Sequence, residues 1–343
     1  MKAIRIQRPG VLAVEDLPTP EPGPGQVRMR TLCCGVCATD LEMIAGWERT
    51  PYPAIPGHEW CGVVDAVGRD LSARLLGRRC VGDNILPCQT CSACHLGHPA
   101  NCTRPREVGF ELPGGYAEYF LTNADKLRFL PEGLPSAVAT LAEPLAVVMR
   151  GLGRLHNALE GTPALVFGDG PIGLLAVLAL RSRGADPLVL VGGRERRLEQ
   201  GRAFGAMATL YYKSAGDQLA DILRSVSPEG YPLGVEATGR SAAFELLFAM
   251  MGKNAELLVL GDYRAASAAI RLNHLLLNEI RVVGSNTGTG GWDAAVPLLG
   301  EYSEALGEMI THEFAAQDFE SALAAARSKS GDLIKAVLRW GQG

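Results

Sequence analysis

Ala164-Leu-Val-Phe-Gly-Asp-Gly-Pro-Ile-Gly173 is the stretch on which the fold of this 343-residue chain turns. Its four apolar residues read as a buried strand, and a G-x-G-x-x-G spacing follows at once, with Gly168, Gly170 and Gly173 at the three positions. An apolar helix is expected over 172–183. A chain with 41 glycines produces such a spacing by chance, but a strand before it and a helix after it give it meaning. Gly168 allows a tight turn, Gly170 lets a pyrophosphate approach the backbone, and Gly173 lets helix and strand pack closely. Pro171 and Ile172 open the helix, whose first N–H groups and partial positive charge face the phosphates. The stretch therefore predicts a dinucleotide cradle; the alternative is a glycine-rich turn in a purely structural α/β unit.

Working outward, strands are expected over 188–191, 234–236, 256–260 and 281–283, and an amphipathic helix over 195–204. Strands alternating with helices of this length predict a parallel sheet covered on both faces, a doubly wound α/β domain. Upstream, Leu145, Val148, Met149, Leu152 and Leu155 recur at helical spacing behind Pro144. Before that helix the chain is cut into short apolar runs by Pro and Gly, which reads as an irregular β-rich domain. After Gly284 the alternation stops. Helices over 292–299 and 318–328 and a strand over 335–340 are expected there.

Length suggests two domains. The balance of 33 Lys+Arg against 37 Asp+Glu gives a net charge of −4, which points away from a nucleic-acid partner. No segment has the length and apolarity of a membrane span, and the first residues lack the features of a signal peptide. A soluble, cytoplasmic protein is expected.

NAD-binding units carry an Asp or Glu at the end of the second strand for the ribose 2′-hydroxyl. Here that strand ends Val191-Gly192-Gly193-Arg194. The small Gly192 makes room and Arg194 supplies a guanidinium for a 2′-phosphate, with Arg196 and Arg197 close by. NADP(H) is expected over NAD(H). A solvated helix face, balanced by Glu195 and Glu199, would explain the arginines but not the missing carboxylate.

All nine cysteines lie between Cys33 and Cys102, an odd and clustered set that argues for metal ligands rather than a disulfide framework. Cys88, Cys91, Cys94 and Cys102 fall within fifteen residues. Four thiolates can close a tetrahedron around a structural zinc ion; an iron–sulfur cluster is the rival. His95 and His98 are then surface residues, and Cys33, Cys34, Cys61 and Cys80 small buried ones. Trp47, Trp60 and Phe110 are either pocket walls or core.

A dispersed set remains: Gly35-Val-Cys37-Ala-Thr39-Asp40, Pro56-Gly-His58-Glu59 and Ala142-Glu143-Pro144. With the glycine turn and the four-cysteine lobe, it resembles the zinc-dependent medium-chain dehydrogenase/reductase superfamily over essentially the whole chain. The resemblance implies a GroES-like catalytic domain, residues 1–145 plus 286–343, with a Rossmann domain over 146–285 inserted in it. It implies two zinc ions. Cys37, His58 and Glu143 would ligate the catalytic one, with Glu59 behind the metal or exchanging into its coordination. One thiolate and one carboxylate bring Zn²⁺ to formal neutrality and leave an effective Lewis acid. A glutamate as third ligand resembles the polyol, sugar and threonine branch. The Gly192-Gly193-Arg194 turn and Tyr212 resemble NADP-specific members.

Thr39 would take the alcohol proton. Glu42, where many members have histidine, would relay it, bind a substrate hydroxyl or stand exposed. Asn286 is a candidate nicotinamide contact. The implied reaction is hydride exchange between NADP(H) and a secondary alcohol or ketone of a polyol, sugar or cyclitol, in a homodimer or homotetramer. Reduction of simple ketones and aldehydes, or a non-catalytic NADPH-binding regulator, are the alternatives.

Overall fold

Phe167 ends an inner strand of a six-stranded sheet in which every neighbour runs parallel. The computed structural model, which describes residues 1–328 and 332–341, orders these strands Ala208–Tyr211, Leu188–Gly192, Ala164–Phe167, Tyr231–Glu236, Met251–Val259 and Arg281–Gly284. The chain enters in the interior, steps outward to one side, then returns to build the other side. The direction of winding reverses between Ala164–Phe167 and Tyr231–Glu236, and in such sheets ligands bind beyond the strand ends at the reversal.

The glycine turn stands at that point. Gly168 has φ +115°, and a Cβ there would meet the Ala237 backbone at 2.9 Å. A Cβ on Gly173 would stand 1.7 Å from the Gly168 carbonyl oxygen, so the helix Pro171–Ser182 seats on its own turn only without a side chain. Over Gly170 nothing lies within 4 Å. That opening is what a bound pyrophosphate needs. The helix begins at Pro171, whose lost N–H is one that no intrahelical acceptor would have used.

The chain divides into two compact units, Met1–Ala146 with Gly288–Gly343, and Val147–Thr287. Asn286, expected just outside the Rossmann domain, belongs to the second unit.

In the first unit the ten-residue strand Gln26–Gly35 is the hub. It pairs antiparallel with Trp60–Val67, Tyr119–Asn123 and Lys335–Arg339. Ile310–Ala315 extends the sheet beside Lys335–Arg339, and Arg79–Gly82 and Leu127–Phe129 extend it on the other side. The mixed structure after Gly284 is thus the chain returning to complete a sheet begun at its other end. Val27, Met29, Trp60, Phe120 and Trp340 pack in one core, and the Trp340 indole donates to the Gly115 carbonyl at 2.8 Å.

Gly173→Ala and Gly170→Ala should separate packing from ligand clearance. Gly173→Ala is expected to lose about 1–3 kcal/mol of unfolding free energy, the usual cost of overpacking. Gly170→Ala, with open space and an ordinary φ of −75°, should unfold as wild type while binding dinucleotide more weakly. Urea unfolding with NADPH titration checks both, and equal destabilisation by the two would refute this account.

Candidate active site

Strand Gln26–Gly35 ends against the helix Ala38–Ala45, and the turn between them presents Cys37. Cys37 is extended, at φ −101° and ψ 155°, and its N–H donates to Asp40 Oδ2 at 2.8 Å. Asp40 is fully buried and also accepts from the Tyr116 hydroxyl at 3.3 Å. Its other oxygen lies 3.6 Å from His58 Nδ1. One carboxylate thus holds the turn carrying the thiol by a hydrogen bond and sits beside the imidazole without bonding it. Burial works against a charged imidazole, but Asp40 and Cys37 beside it outweigh that and hold His58 well above its ordinary pKa.

His58 follows Gly57, whose φ is +101° and whose Cβ would lie 2.5 Å from the Tyr116 ring. Asn84 donates to the His58 carbonyl at 2.6 Å and accepts from the Trp60 indole at 2.7 Å. Trp60 packs on Phe120 at 5.0 Å and belongs to the core, not to a pocket. Phe110 lies 5.2 Å from the His58 ring and 6.0 Å from Trp47, forming an aromatic wall on the imidazole.

Ligand atoms of Cys37, His58 and Glu59 all lie within 4.8 Å of one another. Glu143, expected as the third ligand, stands outside that trio. It begins the helix Ala142–Leu152. Burial raises its carboxyl to about 8, against the pull of His58 and with Glu59 and Glu107 adding to the rise. Glu59, expected behind the metal, is paired with Lys335, and both are almost completely buried. Gly35 has no room for a side chain, because a Cβ would fall 2.1 Å from Glu59 Oε2 and 3.0 Å from Lys335 Cε. Burial disfavours the ammonium, and Glu59 more than restores it.

A thiol, an imidazole and a carboxylate converging within 4.8 Å fit one zinc ion. Thr39 Oγ1 is 3.5 Å from Cys37 Sγ. Thr39 and Glu42 are three residues apart on the same helix and so share a face.

Two further acids are buried in the same unit, and one of them, Glu107, lies in the field of His58. Glu107 lies on a short strand opposite Ile85, and burial raises it to about 7, with His58 opposing and Glu111 adding. Asp83, also raised by burial, accepts from Ile85 N at 3.1 Å and Thr289 Oγ1 at 3.0 Å. Asp40, Lys335 and Glu107 were not singled out from the sequence. Only Asp40 had a local signal, an acid three residues past the start of a helix.

In the cysteine lobe, sulfurs of Cys88, Cys91, Cys94 and Cys102 lie within 4.8 Å of one another, with Cys91–Cys94 at 3.5 Å and Cys91–Cys102 at 3.9 Å. Zinc–sulfur bonds of about 2.3 Å put tetrahedral sulfurs about 3.8 Å apart. The group fits a single ion better than a multi-iron cluster, and 3.5 Å is far too long for a disulfide. N–H groups of Thr103 and Cys94 draw the Cys91 thiol down to about 5. His95 and His98 are exposed. Cys33 and Cys61 are buried, which pushes their thiols up to about 11 and about 12.

In the second unit the turn after Leu188–Gly192 differs from expectation. Asp169, from the glycine turn, reaches across to it and accepts from Gly193 N and Arg194 N, each at 2.8 Å. The room over Gly192 is filled by this side chain, since a Cβ on Gly192 would be 2.5 Å from Asp169 Cβ. Gly193 packs on Tyr212, where a Cβ would come within 2.7 Å of the ring. Asn286 is exposed and its carbonyl accepts from Arg150.

Comparison with known proteins agrees with this layout. The family model described as alcohol dehydrogenase GroES-like domain matches residues 23–132, and that described as zinc-binding dehydrogenase matches residues 171–301. L-threonine 3-dehydrogenase of Anaeromyxobacter sp. (strain Fw109-5) is 32% identical, covering 99% of this chain and 100% of that protein. D-altritol 5-dehydrogenase of Agrobacterium fabrum is 30% identical, covering 91% and 92%. An NADP-bound structure from Sinorhizobium meliloti 1021, assigned as a zinc-binding dehydrogenase, superposes with a TM-score of 0.92 at 25% identity, covering 99% of both chains. Among the described residues no helix is long and apolar enough to cross a membrane.

Lys335→Met should leave the Glu59 carboxylate buried without its cation. Breaking such a pair costs about 3–5 kcal/mol, read by urea unfolding, and Glu59→Gln added to it should restore most of the loss. A single variant as stable as wild type would mean that the pair contributes nothing.

Proposed function

The chain belongs to the zinc-dependent medium-chain dehydrogenase superfamily, and from that premise we propose that it exchanges hydride between NADP(H) and a secondary alcohol or ketone of a polyhydroxylated substrate. The observation that carries the substrate class is the pair of buried carboxyl groups, Glu107 and Glu143, in the field of His58. Glu107 and Glu143 offer partners for more than one hydroxyl group, whereas a simple ketone needs only the Trp47–Phe110 wall. D-altritol 5-dehydrogenase among the relatives supports the polyol reading. Arg194 and Tyr212 beside the strand-end turn support a 2′-phosphate, as does the NADP in the Sinorhizobium structure.

Cys37, His58 and Glu59 would hold the catalytic zinc, with Glu143 the next carboxyl out; Cys88, Cys91, Cys94 and Cys102 would hold the structural one. When bound, the catalytic ion supplies Lewis acidity at the substrate oxygen, and the dinucleotide supplies the redox chemistry. Asp40 fixes the Cys37 turn and sets its carboxylate beside His58 Nδ1. The Thr39 hydroxyl accepts the substrate's hydroxyl proton and passes its own along the helix face to Glu42. Lys335 holds Glu59 in place through their buried ion pair. Glu107 and Glu143 orient the remaining hydroxyls.

Zinc-loaded protein should reduce NADP with sugar alcohols, aldoses or cyclitols and leave simple secondary alcohols nearly untouched. Turnover of simple alcohols alone would replace this reading with a general carbonyl reductase. Thr39→Val should lower kcat by about 10²–10⁴, the range for a lost proton-transfer group, at unchanged zinc content. Glu143→Ala should keep two zinc equivalents while losing activity; loss of one equivalent would make Glu143 a ligand instead.

A further inference from the structure

Asp169 is the unexpected group in the dinucleotide cradle. It occupies the variable position between Gly168 and Gly170, where nothing in the glycine spacing asks for an acid. Its Oδ2 takes both N–H groups of the Gly193–Arg194 turn at 2.8 Å, while Oδ1 accepts no hydrogen bond among the described residues. Two half-buried arginines flank it. Arg194 follows directly on the turn and makes no ion pair among the described residues, and Arg197 lies in the field of both Arg194 and Asp169.

The end of strand Leu188–Gly192 is where dinucleotide-binding sheets mount the acid that accepts from the ribose 2′-hydroxyl. This strand carries no acid there, and the reason is steric. A Cβ on Gly192 would lie 2.5 Å from Asp169 Cβ and 2.8 Å from its carboxylate oxygen. An acid at 192 and an acid at 169 exclude each other.

We infer that Asp169 is the cofactor-discriminating carboxylate of this chain: Oδ2 fastens the strand-end turn, and Oδ1 offers the ribose 2′-hydroxyl the acceptor that the strand itself lacks. The same charge opposes a 2′-phosphate that Arg194 and Arg197 attract. The cradle therefore holds two opposed determinants, one anionic from the glycine turn and one cationic from the strand end. Discrimination between NADP(H) and NAD(H) is set by their difference, so NAD(H) remains a competent cofactor. This inference rests on the dinucleotide reading above but not on which of the two cofactors wild type prefers.

The test is a fluorescence titration of the zinc-loaded protein with NADPH and with NADH, beside competition by 2′,5′-ADP and by ADP. Asp169→Asn is nearly isosteric and keeps an oxygen for the turn N–H groups. It should move the ratio of the two dissociation constants about tenfold toward NADPH, equivalent to about 1.4 kcal/mol, and 2′,5′-ADP should gain over ADP alike. Arg194→Ala should move both ratios the other way. Asp169→Ser, shorter and neutral, should shift them in the direction of Asp169→Asn, and melting curves confirm that each variant is folded. Unchanged ratios in folded Asp169→Asn and Asp169→Ser, with both cofactors weakened equally, would reduce Asp169 to a structural latch and overturn the inference. The wild-type ratio is read separately, and a preference for NADH there would refute the NADP(H) reading while leaving the variant shifts to decide the role of Asp169.

Discussion

The ion pair between Lys335 and Glu59 is the contact on which the metal-binding side of this protein depends. Lys335 opens the last strand of the chain, and Glu59 follows the buried His58. Both are almost sealed from water, and Gly35 surrenders its side chain to admit them. A buried pair of this kind is a poor source of net stability, since desolvation consumes most of the attraction. Its value is geometric. Glu59 stands within reach of Cys37 and His58 while paired with Lys335, and that partner arrives nearly 280 residues later in the sequence. The first unit must therefore close both chain ends into one sheet before its ligands are set, a long-range closure of the sort that slows folding.

Much of the fold was legible because it is written locally. The glycine turn, the apolar runs at 164–167 and 188–191 and the intervening helix each announce themselves within a dozen residues, and together they imply the parallel sheet. The four cysteines were legible for the same reason, since a cluster that closes within fifteen residues needs no tertiary information. Even Cys37, His58 and Glu59, which converge in the structure, could be gathered, though only through the family resemblance. Spacing alone does not distinguish them from ordinary core residues.

What was not legible is side-chain reach. Nothing near Lys335 marks it as the partner of Glu59, because strand order and register determine the meeting. Glu143 was expected among the ligands and Glu59 behind the metal, and the trio the structure draws within 4.8 Å is Cys37, His58 and Glu59. Trp60 looked available for a pocket until its indole N–H was seen to donate to Asn84 and its ring to pack on Phe120 in the core. Glu107 became prominent only when the strand opposite Ile85 folded it toward His58.

Asp169 shows the same limit in its sharpest form. Reading along the second strand, one finds glycines and an arginine where an acid is usual, and concludes that the site is cationic. The sheet places the end of that strand beside the turn of its neighbour, so a carboxylate 23 residues earlier fills the gap that the strand left. Charge at a binding site is a property of the space, not of the segment that conventionally supplies it. Gly192 is small for the sake of Asp169 before it can be small for the sake of a phosphate, and the arginines beyond it act against that charge rather than in a vacuum. The balance between them, more than the identity of either, is the physical quantity that the cofactor meets.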